Sequence, residues 1–194
     1  MKASKTLALA TAVSALAVAA QAETKIGMIT TRSGGGASLG VDTRDGFMLA
    51  MENAGRDDVE VVIEDDQRKP ATAVQIADQM IQSEKVDILT GIVWSNLAMA
   101  VVPSATGQGL FYLSTNAAPA QLAGKGGNPN YFSVSYQNDN LHEAAGPYAT
   151  SADFKQTLIL APNYPAGKDA LTGYKRFYEG DLAGEVYTKL GQTD

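Results

Sequence analysis

Residues 86–103 read VDILTGIVWSNLAMAVVP, and the way that stretch divides decides the fold. Val86 to Val93 is a near-continuous apolar run, the pattern of a strand covered on both faces, as in a parallel sheet. Ser95 and Asn96 break it, and Ser95 to about Thr106 then reads as a helix. Ser and Asn are favoured at helix N-caps. Trp94, the only tryptophan in the chain, stands at the joint between strand and helix. It is either core filler or the wall of a binding site.

The same alternation extends in both directions. Upstream, Lys25–Thr30 (KIGMIT) is a short apolar strand, followed by a Gly-rich loop from Arg32 to Gly40. Asp42–Ala54 carries Phe47, Ala50, Met51 and Ala54 at helical spacing. Val59–Glu64 is a β-branched strand, and Pro70 suits the first turn of a helix that runs to about Ser83. That helix buries Val74, Ala77 and Ile81. Downstream come a strand at Leu110–Ser114, another at Tyr131–Ser135 and a helix over Asn140–Thr150. A strand at Thr157–Ala161, an amphipathic helix over Gly167–Tyr178 and a last strand at Glu185–Leu190 complete the chain.

Strands alternating with helices over short linkers predict parallel βαβ units, hence an α/β fold with a doubly wound, Rossmann-like parallel sheet. Five of these strands precede Tyr136 and two follow it. Two strands are too few to bury the apolar faces of their helices. The expected organisation is one complete lobe, 23–136, and the beginning of a second, 137–194, in a chain that continues past Asp194.

Residues 1–22 are set apart from the fold. Lys2 and Lys5 form a basic head, Leu7 to Ala19 is small and apolar, and Ala20-Gln21-Ala22 has the small-x-small form of a cleavage site. The apolar run is too short for a membrane span, so it reads as a secretory signal peptide cut after Ala22. Without those two lysines, 13 of the 15 basic residues remain against 21 acidic ones, a net charge of −8. An acidic exported protein is a poor partner for nucleic acid or an anionic membrane surface. The chain has no cysteine, which removes disulfides and thiolate metal sites.

The motifs exclude more than they assign. The loop RSGGGASLG (32–40) lacks the Gly-Lys-Ser/Thr of a phosphate-binding loop. It also lacks the dinucleotide fingerprint, because Leu39 stands three residues after Gly36. It reads as a loop that lets the backbone approach a small ligand, with a plain flexible turn as the alternative. Asp57-Asp58 and Asp65-Asp66 do not have the spacing of a calcium loop, and no cofactor or metal is implied. His142, the only histidine, lies in a polar run with Asn138, Asp139, Asn140 and Glu143. It reads as a solvated residue at a helix start, and the chain as a non-enzyme, since a nucleophilic site needs more parts than this.

In an open parallel sheet, ligands bind beyond the carboxyl ends of the strands, where helix N-termini gather. Two polar strand ends converge there: Ser95-Asn96, and Ser114-Thr115-Asn116-Ala117-Ala118. Free N–H groups and the helix dipole at such an end make a site for a carboxylate. Ordinary capping by Ser95 accounts for the same residues, and spacing alone leaves both open.

The order of these segments resembles the leucine/isoleucine/valine-binding protein family, the type I periplasmic solute-binding receptors of ABC importers. The carriers are KIGMIT with its Gly-rich loop, DTRDGFMLAMENAG (42–55) and VVIEDDQRKPATAVQIADQMIQSEKVDILTG (61–91). WSNLAMAVVPSATGQGLFYLSTNAAPAQLAG (94–124), NPNYFSVSYQNDN (128–140) and TLILAPNYPAGKDALTGYKRFYEG (157–180) follow. The resemblance implies two α/β lobes joined by a multi-strand hinge and closing over an amino acid or related carboxylic acid. It also implies a periplasmic location and an ABC permease in the inner membrane as partner. It places the ligand carboxylate at Ser95, with Asn96 beside it, and at Asn116, Ala117 and Ala118. Trp94 would flank the ligand's side chain, Arg32 and Ser33 would lie at the cleft mouth, Tyr136 at the crossover, and Asn163 and Tyr164 on the second lobe. Amino-acid-binding members usually carry Thr where this chain has Ala118, and small polar residues where it has Trp94-Ser95-Asn96. The chain looks more like members that take aromatic or other non-amino carboxylates, for which an indole offers a flat face. A ligand-sensing domain of a signalling receptor, and less readily an exported hydrolase, are the alternatives.

Overall fold

A computed structural model describes residues 24–192; the expected signal peptide and its cleavage point lie outside the described residues. Strands β1 (Thr24–Thr30), β2 (Val59–Asp65), β3 (Ile88–Thr90), β4 (Phe111–Ser114) and β5 (Tyr131–Ser133) form one sheet in the order β2-β1-β3-β4-β5. All of its pairings are parallel. Helices α1 (Ala37–Asn53), α2 (Pro70–Gln79) and α3 (Ser95–Gly107) make the crossovers. The chain steps outward from β1 to β2, then returns past β1 to β3. That reversal leaves the crevice of a doubly wound sheet beyond the carboxyl ends of β1 and β3, where Thr31–Gly36 and Trp94–Asn96 lie.

The core of this unit lies where α2 and α3 cover the sheet. Ile29, Leu89, Ile92, Leu97, Val101, Val102 and Tyr112 are buried together with Ala73, Ala77 and Met80. Small residues on α2 let it approach closely: a Cβ on Gly27 of β1 would sit 2.7 Å from Met80 Sδ. The helix expected to run to Ser83 instead opens at Met80–Glu84 into a single π turn, closed by Lys85 in the left-handed region at φ 56°. Such one-turn bulges absorb an extra residue without ending the helix. Burial of Met80 holds this one in register.

Several boundaries differ from the sequence expectation for identifiable reasons. Helix α1 begins at Ala37 rather than Asp42, because Gly36 turns the chain in the left-handed region at φ 87°. The stripe expected on α1 is mostly uncovered: Ala50 and Ala54 are exposed and Phe47 and Met51 only half-buried, with Met48 and Leu49 also exposed. Strand β3 pairs over Ile88–Thr90 only, whereas Val86 to Val93 was expected. Gly91, at φ 99°, turns the chain out of the ladder while Ile92 and Val93 stay buried. The single helix expected over 140–150 is two short ones, α4 (Asn140–Glu143) and α5 (Ala145–Ser151). Pro147 has no N–H to offer the Glu143 carbonyl, so the ladder breaks there and Pro147 falls in the first turn of α5.

The second unit is a parallel pair, β6 (Gln156–Pro162) and β7 (Asp181–Thr188), with α6 (Pro165–Phe177) as crossover. β7 starts four residues before the expected Glu185, because Asp181–Gly184 pairs with Gln156–Leu158 of β6 despite weak strand propensity. Helix α6 covers one face: Ile159 and Ala161 pack with Leu171 and Tyr174. Tyr174 Oη hydrogen-bonds Thr157 Oγ1 at 3.0 Å. The other face presents Leu158, Leu160 and Val186, all exposed. No helix among the described residues is long and apolar enough to cross a membrane.

Candidate ligand-binding site

A cavity of about 380 Å³ lies between the two units. The first unit contributes Val93, Ser95, Asn116 and Ala117; the second contributes Leu160, Tyr164, Ala166 and Gly167 among others. Asn138, Leu141 and His142, from the segment between the units, complete it.

Two helices begin at this cavity, and neither has a side-chain cap. The N-cap of α3 is Trp94, not Ser95, and its carbonyl accepts from the N–H groups of Leu97 and Ala98, both at 3.0 Å. The N-cap of α6 is Tyr164, whose carbonyl accepts from Lys168 N–H at 3.1 Å. The first amides of a helix have no intrahelical acceptor. Those of Ser95 and Asn96 at one end, and of Ala166 and Gly167 at the other, have no acceptor among the described residues. Positive dipole ends and unpaired N–H groups together favour an anion. Ordinary capping does not occupy Ser95. Its buried hydroxyl instead accepts from Asn138 Nδ2 at 3.0 Å.

Asn138 joins the units. The same Nδ2 reaches Asp169 Oδ2 of α6 at 3.2 Å. Asp169, 4% exposed, also accepts from Ala120 N–H at 3.0 Å and Gln121 Nε2 at 2.9 Å. A buried carboxylate so surrounded by donors is satisfied, and it ties α6 to the segment following β4. Behind it, Asp139 accepts from Arg176 Nη2 at 2.7 Å. Burial works against the Asp139 charge, but the Arg176 guanidinium and the Gln137 amide hold its carboxyl below its usual value.

The residues singled out from the sequence are thus distributed unevenly. Ser95, Asn116, Ala117 and Tyr164 line the cavity. Trp94 stands beside it, with its indole edge against Gly36 and the Arg68 guanidinium over its ring at 3.9 Å. Asn96 follows, its Oδ1 buried and, like Trp94 Nε1, without a partner among the described residues. Ala118 is buried on the far side of its loop, where a smaller recess holds it with Tyr131 and Gln137. Arg32 points into the first unit: its N–H meets Asp65 Oδ1 at 2.9 Å and Nη2 meets the Ile63 carbonyl at 3.3 Å. Ser33 is exposed and bonds Asp65. Tyr136 is 71% exposed, and Asn163 is exposed with its N–H on the Thr188 carbonyl at 2.8 Å.

Asn138, His142, Asp169 and Arg68 went unselected in the sequence. Asp169 carried a usable signal, an acid inside the buried stripe of α6 with Ala170, Leu171 and Gly173. Asn138 carried none, because one more amide in a polar run does not stand out.

Two α/β units with parallel sheets, meeting across a cavity into which free helix amides point, define a ligand-enclosing binding protein. The chain matches the periplasmic binding protein family over residues 23–194, and it belongs to that family. It is 29% identical over 167 residues to Leu/Ile/Val-binding protein homolog 6 of Brucella abortus, a match covering 84% of this chain and 42% of that one. Among solved structures it is similar to an ABC transporter solute-binding protein from R. palustris in complex with benzoate. That match has 27% identity and a TM-score of 0.82 over 88% of this chain and 49% of the other. An ABC transporter substrate-binding protein from Sphaerobacter thermophilus matches at 28% identity and a TM-score of 0.78, over 88% of this chain and 49% of that one. The chain spans about half the length of the relatives it matches.

Proposed function

We propose that this chain is part of a periplasmic solute-binding receptor that takes a small carboxylic acid between its lobes and delivers it to an ABC permease. Closure of the lobes about the segment near Tyr136 and Asn138 would trap the ligand. The observation that carries this function is the meeting of two uncapped helix N-termini, at Ser95 and at Ala166-Gly167, across one cavity. The carboxylate would be received at Ser95 and Asn116-Ala117, with Trp94 and Tyr164 flanking the rest of the molecule. The size of the cavity suits a small acid. An aromatic acid is favoured over a branched-chain amino acid. Support comes from the Trp94 indole beside the cavity, a flat face for a ring, and from the likeness to a solute-binding protein in complex with benzoate.

The test is calorimetric titration of benzoate and of leucine into the exported protein and its Trp94→Ala and Ser95→Ala variants. Benzoate should bind, and each substitution should weaken it at least about tenfold, the scale of a charge-assisted hydrogen bond or a stacked ring. Unchanged affinity in Trp94→Ala together with a collapsed melting temperature would make Trp94 a core residue and refute its place at the site.

A further inference from the structure

Gln67 and Arg68 are consecutive non-glycine residues in the left-handed region, at φ 53° and 59°. Conformations of this kind persist only where the surroundings over-determine them, and they cluster at ligand clamps. Here two carboxylates impose the turn. Asp65 Oδ1 accepts the Gln67 N–H at 2.9 Å while also holding the Arg32 N–H at 2.9 Å. Asp66 Oδ1, fully buried, accepts the Arg68 N–H at 2.8 Å and the Thr31 hydroxyl at 2.6 Å.

The turn sets the Arg68 guanidinium 3.9 Å above the centroid of Trp94, with Nη1 on the Gly35 carbonyl at 3.3 Å. Gly36 backs the indole from its edge; a Cβ there would lie 2.4 Å from Trp94 Cζ2. Arg68 makes no ion pair among the described residues. Burial pushes the Tyr164 hydroxyl up, and the Arg68 charge acts on it in the opposite direction. A conformationally fixed cation thus stacks on Trp94, the residue between Val93 and Ser95 of the cavity lining.

We propose that Arg68 is a specificity-determining residue of this cavity, selecting acids that carry no ammonium group and rejecting zwitterions of the same shape. This role rests on the cavity being a carboxylate site. A fixed guanidinium attracts an anion and repels an ammonium, and both effects are strong in a cavity poorer in water than bulk solvent. Stacking on Trp94 keeps the guanidinium from swinging away, and a planar delocalised cation is suited to such stacking.

The chain's only tryptophan is Trp94, so its emission reports on this position alone. 3-Phenylpropanoate and L-phenylalanine, which have the same carbon skeleton and differ only in the α-ammonium, are titrated against the wild-type protein, Arg68→Gln and Arg68→Lys. Wild type should prefer 3-phenylpropanoate. Arg68→Gln should reduce that preference at least about tenfold, and Arg68→Lys, which keeps the charge, should retain most of it. The affinity for 3-phenylpropanoate should also fall more steeply with added salt in the wild type than in Arg68→Gln. Acid binding with an unchanged preference in Arg68→Gln, or the same salt dependence in the two proteins, would overturn the role of Arg68 and leave the cavity assignment standing. Failure of the wild type to respond to either acid would overturn both.

Discussion

Replacing Gly36 with alanine tests the geometry of the Trp94 corner without touching a group that binds anything. Gly36 is at φ 87°, where a Cβ costs roughly 1–2 kcal/mol. The new methyl would lie 2.4 Å from Trp94 Cζ2 and 3.0 Å from Cη2. Those atoms belong to a rigid ring, so the ring must turn as a body and leave its place beneath Arg68. Losing the cation–π contact removes about 0.5–1 kcal/mol, and imperfect repacking of the displaced ring adds a similar amount. The total is about 2–4 kcal/mol, and at roughly 2–4 °C per kcal/mol for a domain of this size the melting temperature should drop by about 4–16 °C. Differential scanning calorimetry gives the drop. The emission maximum of Trp94 should move to longer wavelength as the ring becomes more exposed. A Gly36→Ala variant that melts within about 1 °C of wild type with unchanged emission would show that the indole is not held where the structure places it.

Three further substitutions probe other parts of the molecule. Asp169→Ala strands the Ala120 N–H and the side chains of Gln121 and Asn138; a loss of about 2–4 kcal/mol in urea unfolding is expected, and a loss under about 0.5 kcal/mol would show that the units are not tied through α6. Asp66→Asn concerns a carboxyl that burial pushes up, with the Thr31 hydroxyl and Arg68 N–H acting the other way. Because its proton is held more tightly in the folded state, the stability Asp66 contributes is complete below its ordinary value near about 3.9 and is lost as pH rises through its raised folded value. Asp66→Asn keeps the acceptor and removes the charge, so it should be at least as stable as wild type at pH 7 and show a flatter acid limb; lower stability at pH 7 would contradict the burial argument. Leu97→Ala, at a fully buried position between α3 and the sheet, should cost about 3–5 kcal/mol by denaturant unfolding.

Periodicity made the layout of the first unit legible. The apolar run from Val86 has the pattern of a strand covered on both faces, as in a parallel sheet, KIGMIT and VEVVIE read as strands before it, and the helices between them carry turn signals such as Pro70 in usable places. The boundaries that moved were set by single residues acting through three-dimensional contacts. Gly36 starts α1 early because it faces the ring of Trp94, 58 positions along the chain. β3 is short because Gly91 leaves the ladder, and β7 is long because β6 supplies a partner for residues with little strand propensity of their own.

The site was legible wherever it coincides with a strand end, and much less so elsewhere. Ser95, Asn116 and Ala117 follow from the rule that ligands gather at the carboxyl ends of parallel strands, and that rule needs only local pattern. It says nothing of which way a side chain turns, and so Arg32, named from its loop, lies against the Ile63 carbonyl while Arg68, from the next strand's loop, stacks on Trp94. Both arginines are steered by the Asp65-Asp66 pair, which holds Arg32 and Gln67 by one carboxylate and Thr31 and Arg68 by the other. Its spacing excludes a calcium loop. Its role in the structure is to organise two loops, a use of acidic residues that leaves no motif because two of its four partners, Thr31 and Arg32, lie 33 to 35 positions away. The same holds for Asn138. One amide group reaches a hydroxyl 43 positions behind it and a carboxylate 31 positions ahead, and through it the helix end at Ser95 is mechanically joined to α6. A ligand that draws the Ser95 end toward itself therefore acts on Asp169 through a single side chain, which makes the junction between the units, more than the cavity wall, the part of the site that only the folded chain reveals.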